Sequence, residues 1–404
     1  MKRRLIKKTG DKVSPLGFGA MRLPLKNGKI DREIGKRLIY HGIDNGINFI
    51  DTAALYGNGD SEKFLGEVLV GEYKDKVLLS TKLPVYKIKK YEQMEKTLNK
   101  QLKRLNRDSI DYYFLHNIDL ENMNRLLKLN VIKFLTKAKK EGKIKHVGFS
   151  YHGKSREFPL IVDSYDWDCV MVQYNFMDSN TQVDIDGIKY AYEKGLGIFI
   201  MEPLKGGILA GKMPNKASEI LNKQDPEKST AEWSLSWVLN HPEVSCVLSG
   251  MNERSQIDEN IAIASKVESD SLTSDEIETL DKVKEVMQDL LKINCTSCGY
   301  CMPCPRKVNI PECIKIYNEK YLFNQKGLLT DAFINYFTSV GGVMNEKGNA
   351  GLCTSCGVCI DKCPQHLNIP KELKKVKKEF EGHGFNFKLW FIKNIGMPIY
   401  QKFF

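Results

Sequence analysis

Two short runs near the carboxyl end constrain this chain more than anything else in it. "CTSCGYCMPCP" spans Cys295 to Pro305 and "CTSCGVCIDKCP" spans Cys353 to Pro364, so nine of the eleven cysteines fall between Cys295 and Cys363. The spacings are Cys295-x2-Cys298-x2-Cys301-x2-Cys304-Pro305 and Cys353-x2-Cys356-x2-Cys359-x3-Cys363-Pro364. Three cysteines, each three residues from the next, can wrap one cubic iron–sulfur cluster, and a fourth followed by proline leaves that loop for the neighbouring cluster. The eight thiols therefore read as ligands of two [4Fe-4S] clusters. Two zinc ions are the alternative, although zinc sites favour pairs of cysteines separated by a longer loop. Disulfides fit poorly. The opening "MKRRLIKKTGDK" is basic without a secretory apolar segment, and no stretch approaches bilayer length, so the expected compartment is the reducing cytoplasm.

Paired runs of this kind resemble the two-cluster bacterial-type ferredoxins. The first run departs from the pattern in its last gap, x2 where x3 is usual, which leaves open how Cys304 reaches a second cluster. Cys313, in "NIPECIKIYN", reads as a buried small residue at a helix start with Pro311 in the first turn. Cys169 and Cys246 lie in apolar strand-like segments and read as inert core. Residues 291–375 carry too little apolar mass to fold firmly alone, so clusters are expected to staple them. Residues 376–404 form an aromatic and basic tail, expected to pack back onto the protein rather than onto a membrane surface through Trp390.

Residues 1–290 keep a different rhythm. Apolar runs end at polar or glycine-rich positions: "LGFGAM", "INFIDTA", "KVLLSTK", "IDYYFLH", "IKHVGFS", "DCVMVQY", "GIFIMEP" and "VSCVLSG". Helix-like segments lie between them, such as "DREIGKRLIYHGIDNG" and "YEQMEKTLNKQLKRLN". Alternating strand and helix with fully apolar strands predicts a parallel sheet. Eight such units in this length predict an α/β fold of the closed (β/α)8 TIM-barrel type, followed by a small helical ferredoxin-like domain. A doubly wound sheet would want Gly-x-Gly-x-x-Gly after its first strand, which "GFGAMR" does not supply.

The C-terminal strand ends of such a barrel form its active face. There the chain places Asp51, Tyr56, Lys82 and His116. A lysine beside a tyrosine favours the phenolate and turns the phenol into an acid, an aspartate can fix the lysine, and a histidine can donate to the same carbonyl oxygen. The segments "FIDTAALYG", "LLSTK" and "YYFLHN", in this order, resemble the aldo-keto reductase superfamily over about residues 5–290. Barrel and cysteine runs together resemble its ferredoxin-fused branch. The resemblance implies a catalytic tetrad of those four residues and a nicotinamide cofactor, whose pro-R hydride moves to a carbonyl carbon while Tyr56 protonates the oxygen. It further implies cofactor contacts from Gly19, Ala20 and Met21 after the first strand and from Ser150 and Gln173. The segment Pro203, Leu204, Gly206 and Gly207 would cradle the pyrophosphate, and Asn252, Gln256, Glu259 and Asn260 would hold the adenosine end.

Met201 stands where an aromatic often stacks, and Gln256 where NADP-preferring members often carry arginine, so NADP and NAD both remain open. Nicotinamide moves a hydride and clusters move single electrons; flavin is the usual converter. Three readings stay open: carbonyl reduction with structural or sensory clusters, a flavin-holding barrel fed by the clusters, and clusters serving a substrate or partner directly. A non-catalytic redox module is a fourth, against which the intact tetrad argues. The net charge of +11 is scattered, which disfavours nucleic acid and fits a solvated surface or an acidic electron-transfer partner such as ferredoxin or flavodoxin. The substrate itself, a small carbonyl or alcohol, is not legible.

Overall fold

The structure, a computed structural model, describes residues 1–325, 327, 330–343, 346–382, 384–391 and 394. Residues 395–404 of the expected tail lie outside the described residues. The chain forms two compact units, Met1–Lys205 with Lys228–Ile277, and Gly206–Glu227 with Glu278–Phe404.

All eight apolar runs are strands of the first unit: β1 (Leu16–Gly19), β2 (Phe49–Asp51), β3 (Leu78–Leu83), β4 (Ile110–Ile118), β5 (Ile144–Tyr151), β6 (Cys169–Gln173), β7 (Gly197–Met201) and β8 (Val244–Ser249). They pair in parallel in the order β6-β7-β8-β1-β2-β3-β4-β5, and β5 pairs β6 to close the barrel. Most residues on both faces of the strands are buried, hence the predominantly apolar runs. The period of two is plain in β4. Tyr112 and Phe114 point inward to pack with Phe49 and Phe199, while Tyr113 and Leu115 join the layer under the helices.

The intervening segments are helical for local reasons. Helix Arg32–Asp44 begins at Asp31, whose carboxylate accepts from the N–H groups of Glu33 and Ile34. Helix Glu92–Leu105 ends at left-handed Asn106. Helix Ser61–Val68 packs so closely on it that a β-carbon at Gly66 would stand 2.1 Å from the Arg104 carbonyl oxygen. Beneath the barrel, an N-terminal hairpin pairs Arg4–Leu5 with Lys12–Val13. Its Ile6 and Val13 enter the barrel core, and the Arg4 guanidinium donates to the Val244 and Leu239 carbonyls at 2.6 and 2.7 Å. That end is sealed, which leaves the C-terminal strand ends for chemistry.

The second unit is helical among the described residues. Its core packs helix Ile310–Leu322 with helix Ile369–Phe380, through side chains including Ile314, Tyr317, Leu373 and Phe380. Each helix begins in the same way. The string Cys-Pro-x3-Asn-Ile-Pro occurs at Cys304–Pro311 and again at Cys363–Pro370, with Asn309 and Asn368 as side-chain caps. Cys313 lies buried in this core, and Cys169 and Cys246 in the barrel, as inert packing requires.

Candidate functional site

Asp51 closes β2, Lys82 sits near the end of β3 and His116 near the end of β4, so adjacent parallel strands carry three polar side chains to one end of the barrel. Tyr56 follows β2 at the start of a short turn. Lys82 Nζ donates to both Asp51 carboxylate oxygens at 2.6 Å, to the Thr52 carbonyl at 3.0 Å and to the Tyr56 hydroxyl at 3.3 Å. Ser80 Oγ donates to Asp51 at 2.6 Å. The Tyr56 ring lies edge-on to His116, with centroids 6.4 Å apart. Burial pushes the Lys82 amine below its ordinary value, and Asp51 pulls it back. His116 lies well below the usual imidazole range, first through burial, then through the charge on Lys82 and through His152. A neutral imidazole here is a hydrogen-bond donor rather than a second cation.

The expected cofactor residues divide by position. Gly19 and Ala20 are buried at the end of β1, where the Ala20 N–H donates to the Asp51 carbonyl at 2.8 Å, and Met21 is half-buried beyond them. Ser150 and Gln173 are buried at the ends of β5 and β6. Ser150 Oγ accepts from the Asn117 N–H at 2.8 Å. After β7, Pro203 is buried and Leu204 half-buried, and Lys205, Gly206 and Gly207 follow with φ of 46°, 70° and 100°. Successive left-handed residues turn their N–H groups into a concave nest suited to an anion. After β8, Asn260 is buried and donates to Ser249 Oγ at 3.1 Å. Gln256 uses its amide oxygen on the Asn252 N–H, and Glu259 accepts from Ser229 Oγ at 2.6 Å.

The cysteines assort across the two runs. Cys295, Cys298 and Cys301 line one cavity together with Cys363, the last cysteine of the other run. Cys359 lies within electrostatic reach of Cys353, Cys356 and Cys304, and Cys301 within reach of Cys295, Cys363 and Cys359, so the two runs lie close enough to share ligands. Burial and then neighbouring thiols push Cys301 up to about 12 and Cys359 up to about 11. Crowding that penalises thiolates is relieved by cationic metal among them. Both loops repeat one device: the N–H of left-handed Ser297 donates to Cys295 Sγ at 3.4 Å, and that of left-handed Ser355 to Cys353 Sγ at 3.4 Å. Among the described residues, no three His, Cys, Asp or Glu side chains converge as a site for a single ion.

Comparison with known proteins joins these observations. Residues 15–285 match the aldo/keto reductase family. The chain belongs to that family. Residues 294–368 match the 4Fe-4S dicluster domain, so this aldo/keto reductase is an oxidoreductase whose barrel is fused to an iron–sulfur domain. It is 29% identical over 310 residues to L-galactose dehydrogenase of Arabidopsis thaliana, across 70% of this chain and 94% of that one. It is 27% identical over 281 residues to 6-dehydroglucose reductase of Novosphingobium aromaticivorans, across 62% and 86%. A Klebsiella pneumoniae aldo/keto reductase, solved in complex with NADP and acetate, shares the fold at a TM-score of 0.59 and 23% identity, across 70% of this chain and 96% of that one.

Two supports of this aldo/keto reductase site escaped sequence reasoning. Glu62 is buried and accepts from Thr81 Oγ1 at 2.8 Å, Gln101 Nε2 at 2.6 Å and Arg104 Nη1 at 3.0 Å, and Gln101 also donates to the Lys82 carbonyl at 2.9 Å. This network holds the strand that carries Lys82. Asp178 and Lys205 form a second buried ion pair at the same end of the barrel. A lysine inside the glycine-rich stretch "PLKGG" was the available signal.

Proposed function

We propose that the barrel reduces a small carbonyl compound with NADPH or NADH, or runs the reverse alcohol oxidation, with Tyr56 as general acid. The observation that carries this reading is the Lys82 ammonium held between the Asp51 carboxylate and the Tyr56 hydroxyl. A bound reduced nicotinamide supplies a hydride to the carbonyl carbon. Tyr56 gives its proton to the carbonyl oxygen as charge gathers there, completing an alcohol. Lys82 favours the phenolate left behind, and Asp51 with Ser80 keeps Lys82 aimed at it. His116, neutral, donates an N–H toward the same oxygen. Ser150 and Gln173 would hold the carboxamide, the left-handed nest at Lys205–Gly207 suits a pyrophosphate, and Asn252, Gln256, Glu259 and Asn260 would flank the adenosine. The Klebsiella structure's NADP supports this cofactor class. The sugar-derived substrates named for both relatives make sugar carbonyls the first compounds to assay.

Cys295, Cys298, Cys301 and Cys363 would hold one [4Fe-4S] cluster, and Cys304, Cys353, Cys356 and Cys359 a second. The shared cavity and the all-thiol donor set support iron–sulfur over oxygen- or imidazole-bound metal. Such clusters would pass single electrons between the enzyme and an acidic carrier such as ferredoxin or flavodoxin in the cytoplasm. No helix among the described residues is long and apolar enough to cross a membrane. The functional division we assign is 1–290 for the reductase, 291–375 for the clusters and 376–404 for the tail.

Anaerobically purified protein tests both halves. The expected result is broad cluster absorption that bleaches on reduction, iron and sulfide near eight each by the ligand count, and no flavin bands. Tyr56→Phe should lose about 10²- to 10⁴-fold in turnover while still binding NADPH. Undiminished turnover in that variant sinks the acid assignment, and flavin released on denaturation moves the barrel to flavin chemistry.

A further inference from the structure

The side chains of Asp178 and Lys205 form a buried ion pair, yet the proposed chemistry uses neither side chain. Lys205 Nζ donates to Asp178 Oδ1 at 2.6 Å and Oδ2 at 2.5 Å, with side chains 1% and 5% exposed. Asp178 Oδ2 also accepts from Gln173 Nε2 at 3.0 Å and from Asn175 Nδ2 at 3.3 Å. Gln173 Oε1 in turn accepts from Gln182 Nε2 at 2.9 Å. An ionised carboxylate only accepts hydrogen bonds. Paired with the ammonium, Asp178 draws the donor end of the Gln173 amide toward itself and leaves its acceptor end facing Gln182. A side-chain amide has no intrinsic preference between its two flipped forms, so its sense comes from its partners. Here the sequence of polarity begins at Lys205.

The backbone is bent to serve this contact. Glu202 and Lys205 are both left-handed, with φ of 55° and 46°, which is uncommon for residues with a β-carbon. The Lys205 N–H bonds back to the Glu202 carbonyl at 3.0 Å. Asn175 ties the two loops together: its Oδ1 accepts from the Asp178 N–H at 2.9 Å, and its Nδ2 donates to the Glu202 carbonyl at 3.0 Å. A lysine placed in such a turn and aimed at a buried carboxylate is a built feature rather than a solvated surface group.

We infer that Lys205 and Asp178 are positioning residues that fix the donor–acceptor sense of the Gln173 amide toward a bound carboxamide. The inference rests on the nicotinamide reading above. A nicotinamide carboxamide has one donor end and one acceptor end, so a flipped Gln173 would set like against like.

Two measurements test it. The first needs no cofactor. Gln173→Glu places a carboxylate against Asp178 and should lower the melting temperature, whereas adding Asp178→Asn lets an amide donate to the new carboxylate and should recover most of the loss. Additive losses in that cycle overturn the polarity claim. The second measures NADPH affinity by fluorescence titration. Asp178→Asn and Lys205→Met should each weaken binding about tenfold, the scale of one lost charge-assisted hydrogen bond, and Lys205→Arg should restore it. Asp178→Asn with wild-type affinity overturns the positioning role. A wild-type protein that binds neither NADPH nor NADP⁺ defeats the nicotinamide reading, and the cycle then decides the polarity claim on its own.

Discussion

At the barrel end, Asp51, Tyr56, Lys82 and His116 stand on a frame that does not need them: β2, β3 and β4 are held by apolar side chains on both faces. In the second unit, the two cysteine loops contain almost no regular structure, and their cysteines, half-buried apart from the exposed Cys356, lie beside a smaller core. Chemistry and fold are therefore expected to be largely separable in the first region and inseparable in the second. Like thiols packed without metal repel any charge they acquire, whereas a buried ion pair such as Lys82–Asp51 is complete without a ligand.

Iron removal breaks this comparison with the largest expected effect. Anaerobic chelation should erase the unfolding transition of the second unit in calorimetry while the barrel's transition survives. Loss of both, or of neither, would show that the units are not energetically distinct in this way. Single ligands sharpen the point. Cys304→Ser should damage the cluster whose other thiols are Cys353, Cys356 and Cys359, and Cys363→Ser the cluster of Cys295, Cys298 and Cys301, as read by electron paramagnetic resonance of the reduced protein. The opposite assignment would mean that each run serves only itself.

Within the barrel the separability has a limit. Tyr56→Phe leaves every buried charge paired and should melt near the wild type. Lys82→Met strands the Asp51 carboxylate, a change expected to remove about 3–5 kcal/mol of stability along with turnover. A Lys82→Met protein as stable as Tyr56→Phe would mean that the Lys82–Asp51 pair adds no net stability to the fold.

Acid should find the barrel's buried imidazoles next. Burial holds His241 down to about 4, against an ordinary value of 6.5. Between those two values the unfolded chain binds a proton at this ring that the folded chain refuses, so stability falls as pH falls through that window. The loss approaches about 3 kcal/mol at its lower edge, from 1.36 kcal/mol per unit. His116 acts in the same direction. Urea denaturation at pH 7 and pH 5 should show the slope, and His241→Gln should flatten part of it.

Much of this is legible in the sequence, for identifiable reasons. A strand buried on both faces is mostly apolar, so "IDYYFLH" and "DCVMVQY" read as β4 and β6, and a polar residue near the end of such a run, His116 or Gln173, lies at the end that carries the candidate site. The cysteine spacing was legible because cluster geometry dictates it. What escaped was tertiary. Glu62 lies on the helix after β2 and Gln101 on the helix after β3, and nothing local says that they meet around Thr81. The burial of Lys205 is not legible because a lysine in a loop is ordinarily solvated, and here a left-handed turn accompanies its burial. The x2 gap cast doubt on Cys304 because spacing alone does not say where the chain turns after Cys301.

The smallest expected effect tests whether the two halves of the cysteine domain are equivalent as well as similar. Asn309 and Asn368 cap helices that follow Cys304 and Cys363 by the same five residues, each accepting an N–H from the first turn, Glu312 at 3.4 Å and Lys371 at 3.2 Å. Replacing either by alanine should cost about 1 kcal/mol. The helices differ in what their caps support. Helix Ile310–Leu322 buries Cys313, Ile314, Ile316 and Tyr317 along a broad face, whereas helix Ile369–Phe380 buries a narrower stripe of Leu373, Val376 and Phe380 under exposed lysines. The narrower helix depends more on its own termini and less on packing. Asn368→Ala should therefore exceed Asn309→Ala by a few tenths of a kcal/mol in the second unit's transition, and equal or inverted costs would mean that the repeat is energetically symmetric despite its unequal faces.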